Sequence, residues 1–351
     1  MRILALDLGS ASRTITKTAV TVLVTETGEI TRTTLPTTPD ALIALIRAHR
    51  PDRVVLEITR GCGWVVDLVR GCGVATVQVA NANDPAWLNR TSKTDRQDAD
   101  LLARLSATEM LRTVHVPDLS VREWRDLIGH RHVLVRDRTR IKNRIRALLS
   151  NQGESTGQAW SARGMASLAA LAKPLVACDT DDLWRGSLWL ELARLREIAA
   201  HLATITTRLD RLAEASSGAG ILMEVDGIGP RTAEIMTACI DNPLRFRNQK
   251  DIGSYTGLAP RVSQSGSTLR LGSISKHGPP LMRAMLVEAV WLGIRRPGKI
   301  RTLYEQHLKG DPTRQRRAIT ATARRLAVIL WAKLRDHRRQ HPELPTLPQA
   351  A

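Results

Sequence analysis

Apolar and polar positions follow a strand-like and a helix-like pattern in turn over the first 115 residues. Short apolar runs bounded by turn residues predict buried strands, whereas apolar positions three and four apart predict amphipathic helices. The turn at 26–29 joins two such runs into a meander with the first strand. The predicted strands cover residues 3–8, 19–25, 30–35, 53–58 and 74–79, and the predicted helices cover 41–49, 64–70 and a segment that begins at Asp95.

This order, a three-stranded meander followed by alternating helices and strands, predicts an α/β domain with the ribonuclease-H-like fold over residues 1–115. In open α/β sheets the functional groups gather at the carboxyl ends of the strands. Chemistry is therefore expected at that edge of the sheet.

Four acidic residues fall at the predicted edge. Asp7 and Glu57 interrupt the first and fourth apolar runs near their ends, where burying an unpaired carboxylate is costly. Asp95 and Asp98 are three residues apart at the start of a helix and so share one face. Because oxygen ligands favour hard cations, the set predicts a two-metal site for Mg²⁺, with Mn²⁺ as a second choice. Alternatively, the strand acids cap loops or pair with arginine, and the helix acids complement the helix dipole.

Residues 116–217 have the pattern of long basic helices. Apolar residues recur at near-heptad spacing from Leu127 to Leu148 and again over 188–212, which predicts an antiparallel hairpin or a coiled coil, within one chain or between subunits. The excess of arginine in the first helix favours phosphate contacts over a merely solvated face. The run of small residues at 213–220 predicts a hinge-like linker. The predicted nucleic-acid-binding residues of this region are Arg131, Arg138, Lys142 and Arg146.

The sequence pattern of residues 218–340 predicts a mainly α-helical C-terminal domain. Residues 221–233 match a helix-hairpin-helix, in which Gly227 and Gly229 let the backbone approach a phosphate and Arg231 lies at the start of the second helix. A plain turn between two helices is the alternative. A Ser- and Gly-rich loop is predicted at 263–267, helices at 280–295 and 312–336, and a disordered proline-rich tail at 341–351.

Charge narrows the classes of partner. Lys and Arg number 52 against 34 Asp and Glu, a formal net charge of +18, so nucleic acid is the expected polyanionic partner. No apolar run reaches the ~18 residues of a membrane span, and the first residues form a strand-like run rather than a signal peptide. The four cysteines form neither a disulfide pattern nor a zinc pattern. We expect a cytoplasmic, nucleoid-associated protein without a membrane partner.

Several motifs taken together resemble the DEDD transposases of the insertion-sequence one-ten/eleven-eleven group, which are bridge-RNA-guided DNA recombinases. The resemblance covers nearly the whole chain, and the combination is specific although each piece alone is weak. The motifs are LALDL at 4–8, VLEIT at 55–59, KTDRQDA at 93–99, VDGIG at 225–229, TGLAP at 256–260, SG at 265–266 and ISKHG at 274–278.

The resemblance implies an N-terminal domain similar to RuvC-type Holliday-junction resolvases, with the four acids as metal ligands. It also implies a serine nucleophile just before a glycine, which Ser265 matches, although Ser263 and Ser267 are close by. Such a serine attacks a DNA phosphate and holds the strand as a phosphoserine ester. The implied partners are DNA, a noncoding guide RNA and further copies of the chain in a tetramer. Further basic residues expected to contact nucleic acid are Lys93, Arg96, Arg270 and Lys276.

Two other functions fit the same residues. A structure-selective, Mg²⁺-dependent endonuclease would hydrolyse branched DNA with the four acids alone, so that Ser265→Ala would remain active. A non-catalytic nucleic-acid-binding protein would depend on the basic helices and would tolerate Asp95→Asn.

Overall fold

The structure, a computed structural model, describes residues 1–9, 16–59, 61–81, 94–154, 157–265 and 268–347. It divides into two compact units, Met1–Leu119 and Ser120–Ala351. The first unit contains a mixed α/β sheet and the second is mainly helical, which confirms the coarse fold class. None of the helices in these ranges combines the length and the apolar character that spanning a lipid bilayer requires.

The first unit is built on a five-stranded sheet in the order β3-β2-β1-β4-β5. The first three strands form the predicted antiparallel meander, and β4 and β5 continue from β1 in parallel. The order is compatible with a ribonuclease-H-like fold. The elements are β1 (Arg2–Leu8), β2 (Lys17–Val24), β3 (Ile30–Pro36), α1 (Pro39–His49), β4 (Arg53–Glu57), α2 (Cys62–Gly71), β5 (Thr76–Ala80) and α3 (Asp95–Ala107).

Both faces of this sheet are covered. Leu4 and Leu6 of β1 belong to a core that includes α1 and α2, whereas Ile3 and Ala5 pack with Leu102 of α3 on the opposite face. A strand buried on both faces has a nearly continuous apolar sequence. An acid within such a strand is therefore conspicuous.

The second unit begins with two long helices, α4 (Leu119–Asn151) and α6 (Leu183–Ala215), with the shorter α5 (Ala162–Leu171) between them in sequence. Arg131 Nε donates to Thr206 Oγ1 at 3.1 Å, and Arg144 pairs with Glu191 at 2.7 Å. As positions rise along α4 they fall along α6, so the helices are antiparallel. A coiled coil between subunits stays a prediction.

The rest of the second unit packs around α8 and α12, whose buried residues join one large core with the first turns of α4. The elements are α7 (Ser217–Met223), α8 (Pro230–Ile240), α9 (Gln249–Tyr255), β6 (Pro260–Ser265), β7 (Thr268–Ile274), α10 (Pro280–Gly293), α11 (Lys299–Leu308) and α12 (Gln315–Gln340).

The prediction of a hinge-like linker at 213–220 is wrong. Ala213 and Ala219 are buried in the core, and Ser216 Oγ caps α7 by accepting a hydrogen bond from Ala219 N. A Cβ added at Gly218 would lie 2.9 Å from Thr237 Cγ2. The small side chains therefore serve close helix packing, which composition alone does not distinguish from flexibility.

Two further segments differ from their predictions. Of the Ser- and Gly-rich loop predicted at 263–267, residues 263–265 belong to β6, which pairs with β7; residues 266 and 267 lie outside the described residues. The first part of the tail, 341–347, is packed: Ser216 Oγ donates to Thr346 O at 2.8 Å, and Leu347 is buried. Residues 348–351 lie outside the described residues. A hydrogen bond and a buried leucine thus anchor this part of the tail to the second unit, which its proline content did not predict.

Candidate active site and nucleic-acid interface

Two of the predicted acids are neighbours at the carboxyl edge of the sheet. The parallel ladder between β1 and β4 pairs Leu6 with Leu56, so the next positions, Asp7 and Glu57, lie on adjacent strands about 4.8 Å apart. Strand alternation places both on the face that α3 covers. Both residues are half-buried. Glu57 is the last residue of β4 and Asp7 the last but one of β1.

The other two acids lie in the first turn of α3. The helix begins at Asp95 because Thr94 is extended and its Oγ1 accepts a hydrogen bond from Gln97 N at 3.4 Å. Acids are favourable in a first turn because they complement the helix dipole. Asp98 is only 3% exposed, whereas Asp95 is exposed. Asp98 therefore lies on the buried face of the helix.

Contacts at the other end of α3 fix its direction. Ser106 Oγ donates to Gln78 Oε1 at 2.6 Å, and Ser106 O accepts a hydrogen bond from Arg53 Nη1 at 2.8 Å. Arg53 is the first residue of β4. The helix thus runs antiparallel to β4, and its first turn, with Asp98, lies towards the edge of the two strand acids.

A hydrogen-bonded cluster that the sequence did not reveal holds α3 on the meander. Asp100 accepts hydrogen bonds from Thr21 Oγ1 at 2.7 Å and from Arg32 Nη2 at 2.8 Å. Burial opposes ionisation of Asp100, but these hydrogen bonds and the charge of Arg32 outweigh it and lower the pKa of the carboxyl group. Asp100 directly follows the KTDRQDA motif, yet nothing local identifies its partners on β2 and β3. The cluster positions the turn that carries Asp98.

The donor chemistry fits a hard divalent cation, because the side chains at this edge are carboxylates. Asp7, Glu57 and Asp98 are brought towards it, and Asp95 is exposed on the same helical turn. Over the part of the chain that the structure describes, no three His, Cys, Asp or Glu side chains are already grouped closely enough to share one ion. The metal-ligand roles stay predictions. Lys93, predicted to contact nucleic acid, lies outside the described residues, and Arg96 is exposed.

Ser265 is the last residue of β6. The ladder pairs it with Thr268 and pairs Ser263 with Arg270. Ser267 lies outside the described residues. The backbone of the proposed nucleophile thus lies at the far end of a hairpin whose first rung joins Pro260 and Ile274.

The base of this hairpin is held by two motif glycines with positive φ. Gly278 has φ +81°, and a Cβ there would lie 1.8 Å from Tyr255 O. Gly257 has φ +67°, and a Cβ there would lie 2.0 Å from His277 O. Lys276 N donates to Gly257 O at 3.1 Å and so joins the two motifs. These glycines allow the TGLAP and ISKHG segments to touch through their backbones.

The predicted basic residues of α4 divide into two groups. Arg138 and Arg146 are exposed, whereas Arg131 is half-buried through its contact with Thr206. Lys142, which is half-buried, has its Nζ 4.7 Å from the centroid of the Trp160 ring, and the exposed Arg146 guanidinium lies 5.5 Å from the same ring; both are cation–π contacts. The exposed pair is therefore the better placed for phosphate contacts.

The predicted helix-hairpin-helix corresponds to α7, a turn and α8. Gly227 in the turn has φ +84°, and α8 begins at Pro230 with Gly229 as its N-cap, so no side chain caps the first turn of the helix. Arg231 forms ion pairs with Asp210 and, at 3.2 Å, with Glu234. The guanidinium is thus engaged within the protein, and its role in binding nucleic acid stays a prediction.

Two family models match the chain. One, the transposase IS116/IS110/IS902 family, matches residues 219–305, and a transposase model of the IS110 DEDD type matches 15–152. The chain is similar to the putative transposase y4pF/y4sB of Sinorhizobium fredii, at 26% identity over 80% of this chain and 72% of that protein. It is also similar to the transposase for insertion sequence element IS1111A of Coxiella burnetii, at 25% identity over 80% and 77%.

A shorter similarity concerns DNA inversion. The pilin gene-inverting protein of Moraxella bovis is 31% identical over 36% of this chain and 39% of that protein. The two family models fall in different parts of the chain, and every motif of the resemblance except LALDL at 4–8 lies within one of them. The prediction of the family is therefore confirmed, and so is the prediction that the protein is a DNA-processing enzyme. The chain belongs to the IS110 family of DEDD transposases.

Proposed function

We propose that this transposase cuts and rejoins DNA strands through a serine–DNA intermediate, assisted by divalent ions held by Asp7, Glu57, Asp95 and Asp98. The observation that carries the proposal is the approach of Asp7, Glu57 and Asp98 to one edge of the sheet. Carboxylates collected at one edge repel one another unless a cation offsets their charge. Mg²⁺ is the expected ion and Mn²⁺ the substitute, because both prefer oxygen ligands.

Each step of the proposed reaction forms one bond and breaks one. Ser265 gives up its proton to a base, its oxygen attacks the phosphorus, and the displaced sugar oxygen takes up a proton. In the second step a sugar hydroxyl of another strand attacks the phosphoserine, which joins the strands and restores the serine. Divalent ions at the carboxylates would offset the negative charge that develops on the phosphate oxygens.

The hairpin supports the role of the serine. Its base is fixed by the hydrogen bond from Ser275 N to Ala259 O at 2.8 Å. Arg261, Ser263 and Arg270 are exposed along the strands. An exposed ribbon with arginines beside the serine can approach a DNA backbone without rearrangement of the core.

Nucleic-acid partners follow from charge and family. The net charge of +18 and the exposed cations on α4 suit phosphate contacts, as does the α7–α8 turn if it acts as a helix-hairpin-helix. We propose that the transposase also binds a noncoding guide RNA, which would select the target by base pairing. We further propose that the protein forms a tetramer. A coiled coil of α4 and α6 would join its subunits, so that the acids of one subunit act with the serine of another.

One observation favours a second candidate function. All four acids belong to Met1–Leu119, whereas Ser265 belongs to the other unit. A Mg²⁺-dependent, structure-selective endonuclease would need the acids alone and would use water as the nucleophile.

A denaturing gel separates the two. Purified protein, Mg²⁺, labelled element-end DNA and the flanking noncoding RNA are incubated with wild type, Ser265→Ala and Ser263→Ala. We expect a protease-sensitive protein–DNA adduct with wild type and Ser263→Ala, and none with Ser265→Ala. Asp98→Asn should abolish both adduct and cleavage. Cleavage without an adduct, equally strong in Ser265→Ala, would refute the serine mechanism and establish the endonuclease.

A further inference from the structure

A basic cavity in the second unit lies beside the α7–α8 turn. Its volume is about 550 Å³, and it is lined by the turn residues Asp226 and Gly227 and by the connection from α10 to α11. That connection carries Arg295, Arg296 and Lys299, all exposed. The family motifs identified in the sequence do not include these three cations.

The walls of the cavity are held together by one apolar side chain. Ile300 is buried at 4% exposure at the start of α11. A Cβ added at Gly227 would lie 2.9 Å from Ile300 Cδ1, and one added at Gly293 would lie 2.8 Å from the same atom. The isoleucine thus fills the space left by two glycines. The start of α11 therefore packs closely against both the turn and the end of α10.

The charges of the cavity are unbalanced. Within the described ranges, Arg295, Arg296 and Lys299 form no ion pair, and Asp226 is the one carboxylate of the lining. Three cations facing one acid leave an excess of positive charge around the cavity. Arginines without partners close to one another repel, so the arrangement is relieved when an anion enters.

We propose that this cavity binds a backbone phosphate of duplex DNA through Arg295, Arg296 and Lys299. A guanidinium donates two parallel hydrogen bonds to a phosphate, and lysine adds a point charge. The lining offers no aromatic surface on which a base could stack, so the interaction is with the backbone and independent of sequence. The site holds the DNA against the α7–α8 turn. It rests on the proposed DNA substrate and not on the serine or the acids.

Binding to uncut duplex DNA, measured without divalent metal over a series of salt concentrations, tests the site apart from cleavage. The variant Arg295→Ala/Arg296→Ala/Lys299→Ala should bind more weakly, and its plot of log affinity against log salt should be shallower by about 1 for each phosphate interaction that the substitutions remove. The matched control is Arg196→Ala/Arg208→Ala/Arg211→Ala, which removes the same charge from exposed positions on α6. Its slope should stay close to that of wild type.

A second variant tests the sign of the effect. Asp226→Asn removes the carboxylate of the cavity and should tighten duplex binding, an outcome that a merely structural role of the turn does not predict. An equal decrease of slope in the α6 control would show that the effect comes from net charge alone, and would overturn the proposal of a specific site. Unchanged duplex binding by the cavity variant, or a weakening confined to duplex RNA of equal length, would also overturn it.

Discussion

Glu234 of α8 is a buried acid whose ionisation opposes folding. Its side chain is 2% exposed, with Arg231 on the same helix, Arg131 on α4 and Asp210 on α6 nearby. Burial raises the pKa of Glu234 from 4.5 to about 7, and the two arginines only partly offset it. Glu234 Oε2 has no hydrogen-bond donor in the described structure, although the Arg231 guanidinium lies 3.2 Å away. The charge is thus paired without a well-aligned hydrogen bond.

The direction of the pH dependence follows from the raised pKa. The folded protein holds this proton more tightly than the unfolded chain does. The stabilisation of the folded state by protonated Glu234 is therefore fully present below pH 4.5. That contribution disappears as the pH rises towards 7. At about 1.4 kcal/mol per pKa unit, ionised Glu234 costs about 3 kcal/mol of unfolding free energy. Glu234→Gln removes the cost but also one ion pair of Arg231, so we expect a gain of about 2 kcal/mol at pH 8.5.

Thermal unfolding from pH 4.5 to 8.5 provides the assay. The melting temperature of Glu234→Gln should exceed that of wild type by several degrees at pH 8.5, and the two should converge as the pH falls to 4.5. Glu214→Gln, an exposed position on α6, is the control and should follow wild type throughout. A difference that does not change with pH, or a variant less stable at pH 8.5, would refute the reasoning.

Three further perturbations test other parts of the structure. Gly278→Ala should destabilise the second unit by at least about 2 kcal/mol in urea unfolding, because its Cβ would overlap Tyr255 O and its φ is +81°; a neutral result would contradict the tight approach. Leu192→Ala should lower the unfolding free energy by about 3 kcal/mol, since this α6 side chain is 1% exposed in the core that α6 shares with α4. Leu190→Ala, at an exposed position of the same helix, should change it little in the same experiment. Asp100→Asn should melt below wild type at pH 7, and the difference should shrink as the pH falls below 3.8, because the contacts that lower the pKa of this carboxyl group favour only its ionised form. A difference that does not shrink as the pH falls would count against the cluster.

The sequence alone determined the pattern of the first unit. Strand positions, the meander and the acids at Asp7 and Glu57 could be predicted because apolar runs and their interruptions are local features. The start of α3 at Asp95 could be predicted for the same reason, since capping involves only residues three apart. The family followed from short motifs at fixed positions along the chain, which do not require knowledge of the fold.

Only the tertiary structure decided which residues meet. The hydrogen bond of Asp100 with Thr21 joins positions 79 residues apart, and no local pattern records it. The burial of Glu234, the packing of the small residues at 213–220 and the cavity between the α7–α8 turn and Arg295 likewise depend on how separate helices approach. Side-chain periodicity gives the face of an element, whereas its partner on that face is set by packing of the whole unit.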